Sequence, residues 1–127
     1  MKALWLVLGT YTTVWGLWLL SPFWSTFSPQ AGLYSEMNEF MPEWGWGLHA
    51  VAIGVCTVYG IVYRWPRGLW GGRIASTYHW ALIAFFYALG DWRNTGWLTS
   101  LCIVIAIQYM WKHTPRTPVV HPLDGES

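Results

Sequence analysis

The chain has 127 residues, of which 54% are hydrophobic and only 10% charged, against ~25% charged residues in soluble domains. That balance excludes an ordinary water-soluble domain, and a net charge of +1 gives no electrostatic footprint for nucleic acid. Nearly all the charge lies in the gaps between four apolar stretches.

The first stretch covers residues 3–23 and carries no charged side chain. A helix needs ~20 apolar residues to cross the hydrocarbon core, so this run is long enough. Lys2 in front of it gives the outline of a signal peptide, but the run is too long and has no small-residue cleavage site near its end; it is expected to remain a helix. Gly9 and Gly16, seven residues apart, share a face with Thr12 and Thr13. Small and hydroxyl residues let helices approach closely, so Gly9, Thr12, Thr13 and Gly16 are expected to form a helix-association face. Internal packing and self-association both fit that pattern.

Ser21-Pro22 closes the first helix. In the loop that follows, Leu33, Met37, Phe40 and Met41 fall at helical spacing with Glu36 and Glu39 among them. Residues 29–40 are therefore expected to form a short amphipathic helix on the membrane surface, capping the helix ends. Tyr34, Glu36, Met37, Glu39 and Phe40 are its candidate partner-binding residues.

Met41-Pro42-Glu43 opens the second span, 44–63, with proline suited to a first turn and the carboxylate to the positive helix end. The stretch from Arg64 to Arg73 mixes arginine, tryptophan, glycine and proline and is expected to be a cytoplasmic hairpin resting on anionic headgroups. The third span, 74–89, and the fourth, 97–111, are short, and Trp92 and Trp97 at headgroup level make up the difference. Between them, Gly90 to Gly96 forms a compact turn in which Asp91 and Arg93 pair or are solvated separately. Residues 114–127, with Pro115, Pro118 and Pro122, have no apolar period and are expected to be a disordered cytoplasmic tail after a membrane domain at 1–113.

The expected fold is thus an all-α membrane protein, four transmembrane helices in an antiparallel bundle with a short amphipathic helix in the first outer loop. Of the twelve tryptophans, most lie at or near span ends, where indole rings settle at the membrane surfaces. Lys2, Arg64, Arg67, Arg73, Lys112 and Arg116 share one side if the chain crosses four times. Basic residues in short loops stay inside, so both termini are expected to be cytoplasmic in a bacterial inner (plasma) membrane, with Glu36, Glu39, Glu43 and Asp91 facing out.

Three intramembrane polar residues stand out: His49, His79 and Gln108. Two histidines on facing helices suggest haem ligation. Counted from the start of their own expected spans, however, they fall in opposite leaflets, more than ~10 Å apart at 1.5 Å rise per residue, too far for one iron. Each is expected to bond to a neighbouring helix instead. Cys56 and Cys102 read as buried free thiols that pack like small hydrophobes. The chain shows no nucleophile with a base, no metal-ligand cluster, no phosphate loop and no charged residue at a span centre. No enzymatic activity, no metal and no cofactor are expected.

Laid out in this way, the chain resembles small four-helix transmembrane proteins of bacteriophage and prophage origin. The resemblance is carried by the two-glycine first helix ending Leu20-Ser21-Pro22-Phe23, by Phe27 and Tyr34, by Pro42-Glu43-Trp44-Gly45-Trp46-Gly47 with Gly54 beyond, and by Asn94-Thr95-Gly96. It covers most of the chain up to Lys112. It implies a viral accessory protein of the host inner membrane, with a holin-like role in which copies associate laterally as a homo-oligomer in the lipid bilayer. A non-lytic anchor or superinfection-exclusion protein, with a membrane or periplasmic protein partner, is the alternative. A haem- or quinone-binding membrane subunit is a third.

Overall fold

A computed structural model describes residues 2–21, 31–90, 93 and 95–114, and for 31–35 it describes the backbone alone. Among the described residues all regular structure is helical: α1 (Lys2–Leu20), α2 (Ala31–Phe40), α3 (Glu43–Val62), α4 (Pro66–Gly90) and α5 (Gly96–His113). The expected tail at 114–127 lies outside the described residues except for Thr114, as do Asp91, Trp92 and Asn94 of the last turn.

α1 and α3 pack on each other through glycine. A Cβ on Gly16 would lie 2.6 Å from the Gly47 carbonyl oxygen, and one on Gly54 would lie 2.6 Å from the Gly9 carbonyl oxygen. Each helix carries two glycines seven residues apart, and the pairs interlock so that backbone meets backbone. The threonines on this face close on their own helix: Thr12 Oγ1 donates to the Leu8 carbonyl (2.9 Å) and Thr13 Oγ1 to that of Gly9 (2.8 Å). Those i−4 bonds satisfy the hydroxyl hydrogens within the helix itself.

α3 ends in a turn that reverses the chain sharply. Arg64 has φ 52°, the left-handed conformation that glycine usually supplies, while the Trp65 N–H reaches back to the Gly60 carbonyl (2.9 Å) and the Arg64 N–H to that of Ile61 (3.4 Å). This is the Schellman pattern, which satisfies the last carbonyls of a helix. Pro66 then starts α4 at the position where a missing N–H leaves no bond unmade.

The start of α4 corrects the sequence expectation: the stretch from Arg64 to Arg73 was expected to be a loop, and from Pro66 onward it is helix. Glycine and arginine lower the apolar count, but they do not prevent a helix when packing favours one. Gly68 sits beneath the Trp65 ring and against α3 at Gly60, and Gly72 faces Thr57, where a Cβ would lie 2.9 Å from the hydroxyl oxygen. Of the glycines that looked like turn formers, Gly68 and Gly72 are close-approach sites, while Gly71 faces open space.

α3 also packs on α4, α4 on α5, and α2 on α4. Trp46 Nε1 donates to the Met37 carbonyl (3.0 Å), tying α2 to α3. At the other end of the molecule, Trp5 Nε1 donates to Thr114 Oγ1 (3.1 Å), which brings the beginning of α1 and the end of α5 together. Lys112 and His113 in the last turn of α5 complement its negative end.

α1 and α3 are each long and apolar enough to cross a membrane. The core is mainly apolar, with Trp5, Trp46, Trp80, Ile83 and Ile107 inside, yet it also takes in polar side chains, and the outer face carries many large apolar ones. Thr12, Thr57, Ser76, His79 and Ser100 are buried, while Val7, Leu17, Val55, Tyr78, Phe85 and Ile105 face outward.

Candidate functional site: a histidine pair between α3 and α4

Along α3 and α4, Gly60 meets Gly68, Thr57 meets Gly72, and His49 meets His79. Residues equally far from the Tyr63–Trp65 turn therefore stand side by side. His49 is thirteen residues before the end of α3 and His79 thirteen after the start of α4, so the two rings lie at one depth. The expectation that they occupy opposite leaflets is wrong. It counted His79 from Ile74, eight residues too late, and that displacement moved the ring to the far side.

The Nδ1 atoms of the two histidines are 3.0 Å apart. A contact of this length is a hydrogen bond, and it needs one hydrogen between the two nitrogens, so one ring donates and the other accepts. His79 is fully buried and His49 is exposed on the outer side of the pair. Three tryptophans surround His79: Trp15 and Trp80 each at 5.4 Å between ring centroids and in edge contact, and Trp46 at 6.3 Å. The Nε2 atom of His79 is enclosed with no hydrogen-bond partner. Burying a polar nitrogen without a partner costs on the order of 1–3 kcal/mol, so this atom marks an unusual position.

Trp80 fixes the cluster to α1. Its Nε1 donates to Thr12 Oγ1 (3.2 Å), and its ring stacks on Tyr11 at 5.5 Å. Trp15, one turn further along α1, touches both Trp80 and His79. The site is thus a contact of three helices: α3 supplies His49 and Trp46, α4 supplies His79 and Trp80, and α1 supplies Thr12 and Trp15. Direct contact between the imidazoles leaves no gap for a porphyrin, so a haem held between these two rings does not fit this geometry.

The remaining sequence candidates are dispersed. Gly9, Thr12 and Gly16 are buried and Thr13 is half-buried; Gly9, Thr13 and Gly16 lie against α3, while Thr12 accepts from Trp80 of α4. This face joins helices within the chain and is not free to meet a second copy, because the matching glycines Gly47 and Gly54 already fill it. In α2, Met37 is fully buried, which removes it from the candidate partner-binding residues: its backbone holds Trp46 and its side chain joins the core. Glu36 is half-buried, Glu39 and Phe40 are exposed, and the Tyr34 side chain lies outside the described residues. Phe40 still touches Trp46 and Phe86 through its ring.

Gln108 links α5 to α4. Its Oε1 accepts from the Arg73 guanidinium (2.8 Å) and its Nε2 donates to Thr77 Oγ1 (2.9 Å), while Arg73 also lies 4.4 Å above the Trp111 ring. Gln108 stands out in the sequence but these partners do not, because Arg73 falls within the expected hairpin. Cys56 and Cys102 are free and exposed, not buried as expected: each falls on an outward face of its helix. Among the described residues no group of three or more His, Cys, Asp or Glu is placed to hold a metal ion.

Compared with known proteins, the chain matches no family model, no curated protein and no solved structure.

Proposed function

We propose that this chain is a four-span protein of the bacterial inner membrane, an antiparallel bundle with both termini in the cytoplasm, and that it acts as a phage-type, holin-like protein by accumulating and associating laterally. The observation that carries the membrane reading is the outer face, which large apolar side chains such as Val7, Leu17, Val55, Phe85 and Ile105 cover around an already apolar core. In water such a surface would drive aggregation. In lipid it is the favourable arrangement, because the outward side chains meet hydrocarbon while Thr12, Thr57 and Ser100 bond to carbonyls of their own helices.

The Trp5–Thr114 hydrogen bond supports an even number of crossings, since it holds the first and last helices together at one end. Arg64 and Arg67 follow α3 at the turn level with that end, so the basic residues gather on one side, as retention in the cytoplasm requires. The lytic role rests on the resemblance to phage membrane proteins. Lateral association would use the outward faces of α1 and α3, where Thr10, Thr13, Val14, Val55, Val58 and Tyr59 line an open apolar groove of about 390 Å³.

Inducible expression in a bacterium, followed with a membrane-potential dye, tests this reading. Abrupt depolarisation after a delay is the expected result, and unimpaired growth at high protein level would refute it. The exposed Glu39 and Phe40 of α2 favour a second reading, a non-lytic interaction protein. That reading predicts that substitutions at Glu39 abolish partner capture and leave membrane potential unchanged.

A further inference from the structure

We propose that the open groove between α1 and α3 holds one phospholipid with an anionic headgroup, an acyl chain lying between the helices and the phosphate meeting Lys2 and Arg64. The groove, about 390 Å³, runs from Thr13 and Val55 to Tyr59 and Tyr63. From Val55 to Tyr63 the rise of α3 is about 12 Å at 1.5 Å per residue, an apolar path that a hydrocarbon chain can follow. The Thr13 hydroxyl donates to the Gly9 carbonyl of its own helix (2.8 Å), so its hydrogen is already satisfied.

The groove ends among basic residues. Arg64 follows Tyr63 directly, and Lys2 stands seven residues before Gly9, on the stripe of α1 that faces α3. Gly16 lies against Val51 and Gly9 against Val58, so a step back along α1 is a step forward along α3. Lys2 is therefore level with the Tyr63–Trp65 turn. Both cations are exposed. Glu36, Glu39 and Glu43 belong to α2 and the start of α3, at the opposite end. The Tyr59 and Tyr63 rings lie 4.4 Å apart and Trp65 meets Tyr59 edge-on, an aromatic group of the kind that marks headgroup depth.

The headgroup decides which lipid stays. An acyl chain gains little by leaving bilayer hydrocarbon for a protein groove, because the two are equally apolar. Phosphate supplies a charge, and a guanidinium offers it two parallel N–H donors. Arg64 also holds φ 52°, where glycine is the usual occupant. A long cationic side chain is thus kept at the groove mouth against backbone preference. The proposal rests on the membrane reading and places a lipid within the face assigned to lateral association, but it does not require lysis.

The test is native mass spectrometry of the full chain in detergent, offered dioleoylphosphatidylglycerol or dioleoylphosphatidylcholine at equal concentration. One phosphatidylglycerol per chain is expected to be retained in preference to phosphatidylcholine. Arg64→Gly suits the left-handed backbone, so it is expected to fold at least as well as the wild type and yet to lose about fivefold in that preference. Lys2→Gln is expected to lose a similar factor. Arg67→Gln is the control: Arg67 belongs to α4, which meets α3 through Thr57 and Gly60 rather than through the groove, and the preference is expected to stay unchanged. Val55→Trp fills the groove and is expected to release the lipid. Equal retention of the two lipids, undiminished retention by folded Val55→Trp, an equal effect of Arg67→Gln, or a lipid-free dimer with a second copy in the groove would each overturn the site. Should Val55→Trp lose helicity, the three charge variants decide. A chain that dissolves without detergent refutes the membrane reading itself, whereas a detergent-dependent chain without lipid preference refutes only the site; the lysis assay is read separately.

Discussion

Gly16 and Gly47 meet backbone to backbone: a Cβ on either would come within 3.0 Å of the other's carbonyl oxygen. No side-chain rotation relieves such a clash, because the obstructing atom belongs to the main chain. Gly16→Ala is therefore expected to separate α1 from α3 and to destabilise the protein by about 1–3 kcal/mol, the usual cost of overpacking. Gly71 is the internal control, since a Cβ there meets nothing within 4 Å. Gly71→Ala should be neutral or stabilising by up to about 1 kcal/mol through helix propensity. Thermal unfolding in detergent, followed by circular dichroism, checks both; equal melting of the two variants would contradict the packing described.

Trp46 holds α2 through one hydrogen bond, from its Nε1 to the Met37 carbonyl. Trp46→Phe keeps a ring for Phe40 and Phe86 but removes the donor, and should cost about 1 kcal/mol. Amide exchange in α2 is expected to quicken while exchange in α1 stays slow. Uniform quickening in every helix would show that Trp46 supports the core as a whole rather than the docking of α2.

Gln108 gives α5 two polar ties to α4, to Arg73 and to Thr77. Gln108→Leu removes both and should weaken the attachment of α5 by about 1–3 kcal/mol, at roughly 0.5–1.5 kcal/mol per bond. Because Arg73 also lies over Trp111, Arg73→Lys is expected to have a smaller effect than Gln108→Leu in hydrogen exchange across α5. The reverse order would place the main tie in the Arg73–Trp111 stack.

Three of the long helices were legible from apolar run length: expected limits of 3–23, 44–63 and 97–111 correspond to Lys2–Leu20, Glu43–Val62 and Gly96–His113. The short helix expected at 29–40 appears as Ala31–Phe40, because its apolar residues recur at helical spacing. The fourth long helix was misjudged at its start. Pro66, Gly68, Gly71 and Gly72 carry the local signs of a turn, and only the neighbouring α3, with Gly60 and Thr57 opposite, makes a helix of them. The histidine pair was lost through that same error of register.

By itself the sequence determined where the chain is apolar, where its charges gather and that its regular structure is helical, since those follow from run length and from the 3.6-residue period. Tertiary structure alone decided that the glycines of α1 meet those of α3, that Arg73 belongs to a helix and reaches Gln108, and that His49 touches His79. Each of these is a relation between helices. Local periodicity describes one helix at a time, whereas register between two helices depends on which small side chains let their backbones approach.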